Sequence, residues 1–142
     1  MPEQRVRVSE NEGQYVDSSE TGDPMALGDS SSYVTYWRRR QAWEHRHSLH
    51  LARQARRDAL RIAAMLRRDF GVTQVVLFGS LVRGRFQPDS DIDLAVAGLR
   101  ATDFFAALAQ AAKLSEFSID LKPLEDLDLY FRERVLATGE EI

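Results

Sequence analysis

A chain of 142 residues, 44% hydrophobic and 29% charged, is long enough to bury one core and too short for two ordinary domains. It has no apolar run of bilayer-spanning length, no apolar secretory segment at its start and no cysteine, so the expectation is a cytoplasmic protein that does not enter a membrane. The net charge of −3 conceals an asymmetry: residues 1–32 hold two basic against seven acidic side chains, residues 33–68 ten against two, and residues 69–142 seven against thirteen.

All ten basic residues of the middle segment are arginine, which favours planar, bidentate contacts with carboxylate or phosphate. A solvated helix face, partner docking, oligomerisation or RNA contact through residues 38–68 are all open to such a segment. Residues 1–32, rich in Ser, Glu, Asp and Gly without a sustained period, read as a disordered leader, and Met25 offers an alternative start.

Residues 33–70 contain neither Pro nor Gly, and Leu51, Ala55, Ala59, Ile62 and Leu66 recur at spacings of four and three. That period predicts a long basic amphipathic helix closed by Gly71. Its first part carries Trp37 and Trp43 among arginines and histidines, either as a continuation or as a separate turn. Residues 71–142 follow as the core, the domain as a whole running over about residues 51–142.

The beta-branched run at residues 73–78 predicts a buried strand. Gly79-Ser80 makes a turn, residues 80–83 one helical turn, residues 84–90 a loop and residues 91–97 a second strand. Alternation along that strand puts Ile92, Leu94 and Val96 on one face, with Asp91, Asp93 and Ala95 on the other. Asp103 is expected to cap a helix over residues 104–114, and residues 117–123 form a third strand with Ile119 and Leu121 inward and Asp120 outward. A last helix over residues 127–139, opened by Glu125 or Asp126, packs through Leu129, Val135 and Leu136. The order helix, strand, strand, helix, strand, helix marks an α/β (α+β) chain without internal repeats.

Asp91 and Asp93 on one strand face, with Asp120 on another strand, make three carboxylates that would repel one another unless a cation met them. Magnesium suits such a set, because it takes hard oxygen ligands and is held by one or two carboxylates together with substrate phosphates. Two ions about 4 Å apart can bridge the attacking and leaving oxygens of a phosphoryl or nucleotidyl displacement. Gly79 ends a strand where a phosphate could approach the backbone, the amides after it carry partial positive charge, and Ser80 adds a hydroxyl. Arg83 or Arg85 can add charge.

Other motifs fail on particular residues. The segment "FGSLVRGR" lacks the Gly-Lys-Ser/Thr of a Walker loop. An EF-hand frame begun at Asp89 would put Leu94 at the glycine position and Arg100 at the bidentate glutamate. His45, His47 and His50 have no cysteine or acid cluster nearby and read as exposed helix residues rather than zinc ligands. Asp89 and Ser90 read as turn residues, and Ser80 has no evident histidine partner for acyl transfer.

The stretch "GSLVRGRFQPDSDID", Gly-Ser followed by ten residues and Asp-x-Asp, resembles the signature of the DNA polymerase beta-like nucleotidyltransferase superfamily. The small size resembles its minimal nucleotidyltransferase (MNT) branch. The resemblance spans about residues 56–142, including the strand with Asp120 and the closing "ERVLATGEEI". It implies a small mixed sheet flanked by helices, with Gly79 and Ser80 holding the phosphates of ATP, beside which Arg83 stands as the expected source of added charge. It further implies that Asp91, Asp93 and Asp120 bind magnesium, Asp120 also activating the attacking hydroxyl. Many such proteins are antitoxins that transfer AMP from ATP to a tyrosine of a HEPN-type ribonuclease. The resemblance therefore implies a protein adenylyltransferase with a toxin partner; an antitoxin acting by contact alone, or transfer to RNA or a small molecule, is the alternative.

Overall fold

The computed structural model describes residues 30–142, so the leader expected over residues 1–32 and the alternative start at Met25 lie, up to residue 29, outside the described residues. The described residues fall into two units, residues 30–45 and residues 46–142. Helix α1 is a single element, Ser30–Phe70, with no break after its aromatic first part. Gly71 ends it at φ +68°, a left-handed conformation that costs glycine nothing, and the Val72 amide donates back to the Leu66 carbonyl at 3.3 Å.

In the first unit, α1 presents Tyr36, Trp37 and Trp43 to solvent, at 48%, 42% and 59% exposure. The ring of Trp37 meets Tyr33 and Tyr36 edge-on, at 6.1 and 5.4 Å between centroids, and the Arg40 guanidinium lies 6.0 Å from it.

The second unit is built on four strands, β1 (Gln74–Phe78), β2 (Ile92–Ala97), β3 (Ile119–Pro123) and the two-residue β4 (Glu140–Glu141). They lie in the order β3-β2-β1-β4. The β1–β2 and β1–β4 pairs are antiparallel, while β2 and β3 are parallel. Helix α2 (Phe104–Ala112) supplies the crossover that a parallel pair requires, and α3 (Leu129–Thr138) precedes β4. This is the mixed sheet flanked by helices that the family resemblance implied, with β4 as an added edge strand. Two residues of that strand were too short to stand out as a beta pattern.

One face of the sheet is closed by a continuous apolar core. Ala55, Ala59, Ile62 and Leu66 of α1 pack there with Val75 and Leu77 of β1, with Ile92, Leu94 and Val96 of β2, and with Ala107 and Ala111 of α2. The large members are fully buried, worth about 1.5–3 kcal/mol apiece. Arg56 ties α1 to β4 through a bidentate pair with Glu140 at 2.7 and 3.1 Å. Arg61 donates to the Leu114 carbonyl at 2.6 Å, and Arg67 to that of Ile142. Part of the basic block therefore staples the fold.

Three local expectations need correction. Asp103 stands at the head of α2 but makes no capping bond; its carboxylate accepts from Arg100 Nε at 3.1 Å. Glu125 and Asp126 belong to a 3-10 turn, Leu124–Asp126, and the cap of α3 is Asp128, which accepts from the Phe131 amide at 3.0 Å. Of the residues expected to pack from α3, Val135 is buried, whereas Leu129 and Leu136 are 68% and 46% exposed. Moving the cap turns Phe131 inward instead.

Candidate functional site

Topology alone gathers the candidate residues. Because β1 and β2 are antiparallel, the end of β1 meets the start of β2, Phe78 lying opposite Asp93. Because β2 and β3 are parallel, their starts lie side by side, Asp93 opposite Asp120. The Gly79-Ser80 turn and both strand aspartates therefore share one end of the sheet, on the face opposite Leu94.

That face is not open along its whole length. Ala95, placed by alternation beside Asp93, is fully buried in a second apolar cluster with Val76, Leu124 and Val135. Phe78 and Phe131 border the cluster with rings edge-to-face at 6.0 Å. Arg132 of α3 steadies the preceding turn by donating to the carbonyls of Leu124, Glu125 and Leu127 at 2.9, 3.2 and 3.3 Å. Only the Asp93 end of this face remains for chemistry.

Gly79 adopts φ +79°, and a Cβ added there would sit 2.0 Å from an Asp93 carboxylate oxygen. Its lack of a side chain thus serves backbone conformation and the close approach of Asp93 together. After it the chain coils through a 3-10 turn, Gly79–Leu81, with the Arg83 amide on the Gly79 carbonyl (3.1 Å) and the Arg85 amide on that of Ser80 (2.9 Å). Ser80 is half-buried and the Arg83 side chain is exposed.

Asp93 is half-buried, Asp120 likewise, and Asp91 is exposed just before β2 begins. Burial pushes the Asp93 carboxyl up to about 6, and the neighbouring charge of Asp120 and a hydrogen bond to it push the same way. The charge of Asp91 adds to this, while that of Lys122 opposes it. A carboxylate this reluctant to ionise gains from any cation placed against it.

Lys122 is the residue that motif reading passed over. Two positions beyond Asp120 on β3, it emerges on the same face, and its Nζ donates to both Asp120 carboxylate oxygens at 2.9 and 3.0 Å. The alternation of "IDLKP" would have found it.

Among the described residues, no three His, Cys, Asp or Glu side chains converge as a ready metal cage. The donor chemistry nonetheless fits magnesium: Asp93 and Asp120 offer adjacent hard oxygens, Asp91 stands one residue before β2, and magnesium completes its shell with water and phosphate. His45, His47 and His50 are exposed on α1. No helix among the described residues is long and apolar enough to cross a membrane.

Residues 61–142 match the family described as Polymerase beta, Nucleotidyltransferase. Among solved structures, one assigned to the minimal nucleotidyltransferases aligns at a TM-score of 0.55 and 26% identity, over 62% of this chain and 92% of its own. A toxin-antitoxin crystallised with AMP-PNP aligns at 0.53 and 24%, over 58% and 70%. A mutant of the toxin-antitoxin MntA-HepT aligns at 0.50 and 24%, over 58% and 68%. The search of curated proteins returned no match.

Proposed function

Because this chain belongs to the polymerase beta nucleotidyltransferase family, we propose that it transfers AMP from ATP to a hydroxyl, that of a tyrosine, on a partner protein, and so serves as the antitoxin of a HEPN-type ribonuclease. The observation that carries this reading is the convergence of Gly79-Ser80, Asp93 and Asp120 at one end of the sheet. The structural likeness to toxin-antitoxin proteins, one of them with AMP-PNP, supports the donor and the kind of partner.

In this reading the amides and hydroxyl of the Gly79-Ser80 turn, with Arg83, would hold the triphosphate, and Asp91, Asp93 and Asp120 would hold magnesium. The metal supplies positive charge to the phosphate oxygens. The acceptor oxygen bonds to the α-phosphorus as the bond to the bridging oxygen of the β-phosphate breaks. Pyrophosphate leaves, and the hydroxyl proton passes to the Asp120 carboxylate.

The test is incubation of the purified protein and its toxin with labelled ATP and magnesium. Label on the toxin is expected, falling at least about 100-fold in the Asp91→Asn/Asp93→Asn variant. An unlabelled toxin, or equal labelling by the variant, would sink the reading.

A second reading is favoured by the exposed Tyr36, Trp37 and Trp43 among arginines on α1: neutralisation by contact alone. It predicts that the double aspartate variant neutralises the toxin as well as the native protein does.

A further inference from the structure

The carboxylate face carries a cation of its own. Lys122 donates to both oxygens of Asp120, so the carboxylate opposite Asp93 on the neighbouring strand is already engaged by a cation. Both members of the pair keep about a third of their side-chain surface exposed, 35% for Lys122 and 37% for Asp120. The contact is therefore open to a competitor rather than locked into the core.

We propose that Lys122 is a resident counter-ion that guards the Asp93–Asp120 pair against free divalent cations and gives up Asp120 when a triphosphate arrives. Without nucleotide, a dication approaching the pair must displace an ammonium that already neutralises part of it, and magnesium sheds its water reluctantly. A triphosphate reverses the balance. It brings several negative charges to the face, and an ammonium on a flexible four-carbon stem can swing from carboxylate to phosphate as a compact point charge. Metal and nucleotide then enter together. Their affinities are coupled, each raising the other by the same factor.

This rests on the reading of the site as one for a nucleoside triphosphate, but its test does not require catalysis. Mn2+ binding to the full-length protein is measured by calorimetry or electron paramagnetic resonance, alone and with AMP-PNP. In the native protein, AMP-PNP should tighten Mn2+ at least about 10-fold. Lys122→Met should bind Mn2+ alone about 10-fold more tightly than the native protein and lose most of that coupling, while Lys122→Arg keeps it. Thermal melting checks that each variant is folded, and Lys122→Gln stands in should Lys122→Met fail to fold.

Mn2+ affinity that is unchanged or weaker in the folded neutral variant, or no Mn2+ binding in either protein, overturns the proposal and leaves Lys122 a surface ion pair. Loss of toxin labelling with the coupling intact would refute the transfer reading and not this one.

Discussion

Asp93 and Leu94 are consecutive residues of β2, and the pleat sends them to opposite faces of one sheet. Leu94 is fully buried in the apolar core that it shares with residues of α1 and α2. Asp93 stands half-buried beside Asp120 and against the bare backbone of Gly79, in a setting that penalises its charge. One side of the strand is optimised for stability. The other tolerates a half-buried carboxylate beside like charges, a cost that a proton or a cation relieves, as sites for phosphate and metal chemistry do.

The contrast is sharpest in Leu94→Ala against changes at its neighbour. Removing a fully buried leucine side chain should lower unfolding free energy by about 3 kcal/mol in urea titrations, with site chemistry retained in whatever fraction stays folded. A loss below about 1 kcal/mol would mean that this face is not the rigid side of the strand.

Gly79→Ala should come next. The new methyl points into the Asp93 carboxylate, and alanine is strained at φ +79°, so a cost of about 2 kcal/mol is expected together with loss of nucleotide binding. Combining it with Asp93→Ala, which removes the clashing oxygens, should recover part of that stability. Strict additivity of the two changes would mean that glycine and aspartate do not meet.

The smallest effect runs in the opposite direction. Asp93→Asn should stabilise the chain at pH 7 by about 1 kcal/mol, a figure reduced for solvent screening of a half-exposed group, while abolishing the proposed AMP transfer. Its pH dependence follows from the raised carboxyl. The folded chain binds this proton more tightly than the unfolded chain does, so the native protein has its full benefit below about pH 4 and loses it as pH rises through about 6. Urea midpoints of the two proteins should therefore meet near pH 4 and separate by pH 7. Separation toward acid instead would show that Asp93 is stabilised as the anion.

Much of this arrangement was legible in the residues. The period of three and four marked the face of α1 that packs, because helical geometry makes burial a local property of spacing. Alternation assigned Ile92, Leu94 and Val96 to the core for the same reason. The departures from pattern came from side-chain partners that periodicity does not encode, two of them close in the chain and one distant. Asp103 faces Arg100 rather than the helix amides, Leu129 is left in solvent because Asp128 starts α3, and Ala95 is covered by a helix forty residues later in the sequence.

By itself, the sequence determined which residues can carry charge and on which side of each element they emerge, since both follow from short-range backbone periodicity. Only the tertiary structure decided that Asp93 lies opposite Asp120, that Gly79 admits the Asp93 carboxylate, and that Lys122 holds Asp120 within a site bordered by the α3 cluster. Strand pairing joins residues far apart in the chain, and their register is set by the packing of the whole sheet rather than by any single stretch of it.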